Sequence, residues 1–105
     1  MSGYITLFCT VPDKKSAEDI SYTLVSEKLA ACVNIIDGVD SIYFWEGKVQ
    51  DDSELLLVIK TKKSLYEKLE KKIKSIHPYK VPEIIAFEIF RGSVEYLNWI
   101  DESVE

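Results

Sequence analysis

Residues 31–61 read ACVNIIDGVDSIYFWEGKVQDDSELLLVIKT: a β-branched and aromatic stretch from Ala31 to Trp45, a Glu46-Gly47 pair, and a second strand-like stretch from Lys48 to Thr61. An X-Gly pair between two strand patterns signals a two-residue primed turn, so the segment predicts one long hairpin. Gly38 is expected to mark a bulge or bend in its first strand. Each strand has about 15 residues, which at about 3.3 Å per residue is roughly 50 Å. A compact chain of this length has a radius of gyration of only about 13 Å. The hairpin is therefore expected to overshoot its own domain. Its tip carries Ile42, Tyr43, Phe44 and Trp45, apolar on both faces of the ribbon. Leaving such side chains in water forfeits about 1.5 to 3 kcal/mol each, and a ribbon with free edges invites pairing with other strands. The sequence thus predicts that copies of the chain cover one another, with Tyr43, Phe44 and Trp45 at the interface. A lent tip is a heterologous contact that closes into a ring, and three is the smallest such ring.

The flanks complete the order. Tyr4 to Val11 alternates Ile5, Leu7, Cys9 and Val11 with Tyr4, Thr6, Phe8 and Thr10, the period-two pattern of a first strand. Pro12-Asp13 breaks it. Ser16-Ala17-Glu18-Asp19 then predicts a capping-box-like start to a helix running to about Leu29, with Ala17, Ile20, Leu24 and Val25 inward. After the hairpin, Ser64-Leu65-Tyr66-Glu67 predicts a second capping box. The helix it opens has Leu65, Leu69, Ile73 and Ile76 on one face, with Glu67 facing Lys71 and Glu70 facing Lys74 outside. Pro78 stops it near His77 by disfavouring helical geometry in the preceding residue. Pro82 to Phe90 reads as a fourth strand with Ile85, Phe87 and Ile89 toward the core. Gly92-Ser93 opens a short last helix with Val94, Leu97, Ile100 and Val104 inward and Tyr96 and Trp99 alongside. Strand, helix, strand, strand, helix, strand is the split βαβ or ferredoxin-like arrangement. It implies one α+β domain over residues 1–105, with both helices on one face of an antiparallel sheet.

Composition excludes several classes of partner. A formal net charge of −5 and a single arginine, Arg91, leave no basic stripe for a nucleic-acid backbone. The longest apolar run, Leu55 to Ile59, falls far short of the roughly 20 residues needed to cross a bilayer, so no membrane insertion is expected. Met1-Ser2-Gly3-Tyr4 leads into a strand without the features of a signal peptide, and Cys9 and Cys32 are too few for a disulfide framework. Both point to a cytoplasmic location with reduced thiols.

The segments Ala31-Cys32-Val33-Asn34-Ile35, Tyr43-Phe44-Trp45-Glu46-Gly47-Lys48-Val49, Lys60-Thr61, His77-Pro78-Tyr79-Lys80-Val81-Pro82-Glu83 and Tyr96-Leu97-Asn98-Trp99 together resemble the CutA divalent-cation-tolerance family. The Phe8-Cys9-Thr10-Val11-Pro12-Asp13 opening adds to the match, which spans nearly the whole chain. The resemblance implies a ferredoxin-like homotrimer with inter-subunit sheets, a PII-like architecture, and a role in tolerance to copper and other divalent cations. It also implies Cu(II) binding at Cys9 and His77. The residue before the histidine, a further ligand in copper-binding bacterial members, is Ile76 here. Lys80 stands where many members carry an acid.

Each candidate residue also has a plain structural reading. Cys9 is either a buried structural thiol or, with His77 near it, half of a thiolate and imidazole pair suited to copper or zinc. Glu83 is the first candidate for a further donor. Cys32 reads chiefly as a packed cysteine, with incidental binding of soft metals as its alternative. His77 is equally a cap for the last carbonyls of its helix. Tyr43, Trp45, Tyr79, Tyr96 and Trp99 suit subunit contact better than a small-molecule pocket. Lys60 is a candidate anion ligand if it points into a cleft. Asp51, Asp52 and Glu54 read as a solvated edge.

These readings favour a trimeric metal-responsive binding protein, with no enzymatic role, over three alternatives, and a PII-like small-ligand sensor is the second reading. An acylphosphatase-type enzyme needs an arginine-bearing anion cradle after the first strand, where Pro12-Asp13-Lys14-Lys15 stands. A ferredoxin-like copper chaperone wants a Cys-x-x-Cys pair there. An RNA-recognition module wants stacking aromatics where Leu55 to Ile59 stands.

Overall fold

A computed structural model describes residues 3–105; the reading of Met1 and Ser2 as a start without a signal peptide lies outside the described residues. The elements are β1 (Tyr4–Val11), α1 (Lys14–Ser26), β2 (Cys32–Trp45), β3 (Lys48–Lys62), a 3₁₀ turn (Lys63–Leu65), α2 (Tyr66–Ile76), β4 (Ile85–Glu88) and α3 (Val94–Ser103). The sheet order is β2-β3-β1-β4 and every pairing is antiparallel, the split βαβ topology expected from the element order. β1 lies between two strands, which is why it is apolar in both phases.

Register sets the two faces. Ile5, Leu7, Cys9 and Val11 lie opposite Thr61, Ile59, Leu57 and Leu55, and all eight are buried. Ala17, Ile20 and Leu24 of α1 and Leu69 and Ile73 of α2 close over that face in one cluster. A smaller cluster of Ala31, Leu65, Ile100 and Val104 seats α3, with Tyr4 and Leu97 against it. α1 and α2 leave the other face open: α3 meets it only at the end that holds Tyr4 and Lys62, while further along Phe8, Leu56 and Val58 are half-buried and Ile36, Ile85 and Phe87 are exposed.

The hairpin overshoots as predicted. Residues 55–62 of β3 pair with β1, whereas beyond Glu54 the strand pairs only with β2. The chain measures 44 × 25 × 23 Å, with a Cα radius of gyration of 14.2 Å. Glu46 (φ 50°) and Gly47 (φ 83°) are both left-handed, as a type I′ turn requires, and Gly38 (φ 73°) lies in the register shift between Ile36 and Val39.

Several expectations are corrected. α1 is capped by Asp13, whose carboxylate accepts the Ser16 N–H at 2.8 Å, so Ser16 lies inside the helix. The helix stops at Ser26 because Lys28 turns left-handed (φ 60°), which carries Leu29 into the core from a loop. Ser64 makes no capping bond: the Lys63–Leu65 turn winds tightly and buries Leu65, placing the start of α2 at Tyr66. Glu70 pairs with Lys74 at 3.7 Å, but no ion pair joins Glu67 to Lys71 among the described residues. Val25, Ile76 and Val94, expected inward, are exposed because each sits at the rim of its helical stripe.

β4 has four residues, not nine, and its facing is reversed. Leu7 lies opposite Ala86 and Ile5 opposite Glu88, which turns Ile85 and Phe87 to the open face; there Phe87 meets Phe8 at 5.1 Å between ring centroids. Ile84 reaches the core instead. The run Ile84-Ile85-Ala86-Phe87 is apolar in both phases, so alternation alone could not choose between them.

Candidate functional site

The predicted site residues gather where the end of β1 meets the turn after α2 and the base of the hairpin tip, and Cys32 lies apart from them. At the upper end of β1 the last turn of α2 comes down on the strand. The His77 N–H closes α2 on the Ile73 carbonyl at 2.8 Å, and its side chain turns away from the helix. Nδ1 accepts the Tyr79 N–H at 3.0 Å, which fixes the ring proton on Nε2; that group donates to the Thr10 carbonyl at 2.8 Å. The imidazole is thus a buried neutral bridge from the turn after α2 to β1. It does not serve as the cationic cap of helix carbonyls.

Cys9 is next to Thr10 but points into the helix-covered core, fully buried. Burial, with the charges of Glu83 and Glu54 adding to it, pushes its thiol up to about 12. Its one hydrogen bond is a long one to the Thr10 carbonyl at 3.9 Å. Glu83 is exposed on the loop between α2 and β4. Cys32 lies across the sheet: it pairs with Lys60 in register, on the open face, with Sγ 3.9 Å from Asn34 Oδ1. Cys9 and Cys32 therefore cannot act together. Lys60 hydrogen-bonds Asn34 on that face and does not line the cleft between the hairpin and the turn after α2.

Glu54, expected on a solvated edge, is instead buried in the structure. It is 6% exposed and accepts the Tyr79 hydroxyl at 2.6 Å. Burial and the Glu54 carboxylate together hold the Tyr79 phenol far above its ordinary range. The signal lay in position: Glu54 immediately precedes the apolar run of β3, so it is the first residue of the packed half. Asp52 hydrogen-bonds the Tyr43 hydroxyl further out, and Asp51 is exposed.

Beyond these residues lies the tip. Ile42, Phe44 and Val49 are 69 to 71% exposed, while Tyr43 and Trp45, on the other face of the ribbon, are about half covered. Tyr43 and Trp45 join Thr10, Glu54, Tyr79 and Glu83 around a cleft of about 770 Å³ between the hairpin and the turn after α2. Tyr96 and Trp99 pack on each other along α3, away from it.

An antiparallel ferredoxin-like sheet, two helices on one face and a hairpin too long for its own domain define a small α+β class whose distinguishing surfaces are the ribbon and the uncovered face. Residues 5–103 match the family model described as CutA1 divalent ion tolerance protein. The chain belongs to that family. It is similar to "Protein CutA 1, chloroplastic" of Oryza sativa subsp. japonica, 48% identical over 99 residues that make up 94% of this chain and 56% of that protein. It is 50% identical over 94 residues to "Divalent-cation tolerance protein CutA" of Thermus thermophilus, covering 90% of this chain and 91% of that one. The crystal structure of CutA1 from Oryza sativa superposes with a TM-score of 0.96 at 47% identity, covering 98% of this chain and 94% of that one. The chain thus spans little more than half the length of the rice relative it matches in sequence.

Proposed function

We propose that the chain acts as a homotrimeric divalent-cation tolerance protein of the cytoplasm, without enzymatic activity, that binds Cu(II) weakly. The observation that carries the trimer is the exposure of Ile42, Phe44 and Val49 on a ribbon with no third strand, together with Ile36, Ile85 and Phe87 on an uncovered sheet face. Covering them is worth about 1.5 to 3 kcal/mol per large side chain. The free edges belong to β2 and β4, at opposite ends of the sheet, so edge-to-edge contact between copies is heterologous and closes as a ring. A monomeric, well-folded chain at micromolar concentration in sedimentation velocity would overturn this reading; a species of three chains is expected.

The metal part of the proposal rests on family membership. The residues as folded do not fit a preformed copper site: both imidazole nitrogens of His77 are engaged and Cys9 is held as a buried thiol. Among the described residues no group of three or more His, Cys, Asp or Glu is placed to hold a metal ion. Copper binding through Cys9 and His77 is accordingly proposed only in a weak form, with Glu83 as a minor contributor and Cys32 as a separate, incidental site for soft metals. A Cu(II) titration should weaken when either Cys9 or His77 is replaced; identical curves for wild type, Cys9→Ala and His77→Gln would remove these residues from the reading.

The non-enzymatic part is supported at the start of α1. An acylphosphatase-type site would place an anion on those N–H groups, but Asp13 already does so with its own carboxylate, which the Ser16 N–H bond holds below its ordinary range.

A further inference from the structure

We propose that the cleft between the hairpin and the turn after α2 is a binding site for a small organic ammonium ion. The cleft, about 770 Å³, has the size of a small-molecule site. Its walls divide by chemistry: Tyr43, Trp45 and Tyr79 supply aromatic surface, and Asp40, Glu54 and Glu83 supply carboxylates. Aromatic faces and carboxylates together attract a cation whose own surface is partly apolar.

What separates this cleft from a solvated acidic edge is Glu54. More than nine-tenths of the residue is buried, and one carboxylate oxygen is taken by the Tyr79 hydroxyl. The other oxygen receives no hydrogen bond, and Glu54 belongs to none of the ion pairs among the described residues. That oxygen stays open to the cleft, and a carboxylate largely shielded from water favours a positive group beside it. The one basic residue on the cleft wall, Lys80, is exposed and likewise makes no ion pair among the described residues. An ammonium group answers Glu54 with its charge, and a primary one also offers N–H donors to the free oxygen. Three carboxylates disfavour an anion. A bare metal ion finds no cluster of donors to hold it among the described residues, whereas an organic cation draws much of its contact from the three aromatic walls.

Every residue named for the site comes from one chain. Phe44 and Val49, highly exposed on the tip, face away from the cleft, while Tyr43 and Trp45 line it. Ile42 and Asp40 reach the cleft from the Phe44 side of the ribbon, so the cleft wraps the edge of the hairpin, and the inference stands whether or not the copper reading does.

The test uses the full chain, with tetramethylammonium and n-propylammonium chloride as probes and sodium chloride at equal ionic strength as control. Saturable shifts of the Trp45 indole and Tyr79 amide signals in NMR are expected for an ammonium probe. Glu54→Gln, which keeps an acceptor for Tyr79, should weaken binding about tenfold. The exposed pair Glu83→Gln with Asp40→Asn should weaken it about threefold, and it carries the test if Glu54→Gln does not fold. No saturation with either probe, or wild-type affinity in the variants, overturns the proposal. So does inorganic phosphate moving the same signals where ammonium does not, which would assign the cleft to an anion held by Lys80.

Discussion

The two halves of β3 belong to one strand and pair with one partner, yet they live in different environments. From Leu55 to Thr61 the strand lies between β1 and β2, and every second side chain is buried under the helices. From Lys48 to Ser53 it pairs only with β2, and nearly every side chain is exposed or half-exposed. Backbone hydrogen bonding to β2 is continuous through both halves apart from the bulge at Gly38. The difference lies in what else the strand touches: an isolated two-stranded ribbon is marginal in water, and only a third strand or a helix layer makes it secure. The packed half belongs to the domain core and the outer half stands out from it, with Glu54 and its bond from Tyr79 at the seam.

Substitutions can break this contrast, beginning with the packed half. Leu57→Ala removes a fully buried side chain between the helices and β1 and is expected to cost about 2 to 5 kcal/mol in denaturant unfolding. A cost under 1 kcal/mol would mean that the core does not hold this half as described. At the seam, His77→Ala leaves the Tyr79 N–H without its partner and the Thr10 carbonyl with only the long contact from Cys9, and a loss of about 1 to 3 kcal/mol is expected. Long-range ¹H–¹⁵N NMR of the metal-free protein should find the ring proton on Nε2, and a proton on Nδ1 would refute the bridge.

Cys9 gives the seam a pH signature. Its folded value of about 12 lies above the unfolded 9.0, so the folded chain keeps a proton that the unfolded chain releases between these values. The sign follows: stability from this group is full below about pH 9 and is lost as pH rises toward 12. Iodoacetamide at pH 8 should leave Cys9 unmodified until denaturant is added; rapid labelling of the folded chain would show the thiol accessible.

The smallest effect on the fold itself is expected at the tip. Phe44→Glu should change the intrinsic stability of the chain by about 0.5 kcal/mol or less while lowering assembly size in sedimentation. The same variant with wild-type assembly would show that the outer half is not the contact surface.

Much of the fold was legible because the signals were local. A strand apolar at every second position, a Glu-Gly turn needing two left-handed residues, and a proline after His77 each act within a few residues. The helix starts were less legible. Asp13 and Ser16 are both good caps, and the choice fell to the residue whose carboxylate reaches an N–H three positions on. The facing of β4 was not legible at all, since Ile85 and Ala86 both suit a core.

The amino-acid order by itself determined the succession of elements, the length of the hairpin and the apolar character of its tip, since each follows from spacing and chain geometry. Only the tertiary structure decided that Glu54 is buried, that His77 bridges to β1 with both nitrogens engaged, and that Cys9 and Cys32 lie on opposite faces. Those facts depend on which strand lies beside which and in what register, and side chains tens of residues apart meet only once the sheet has been assembled.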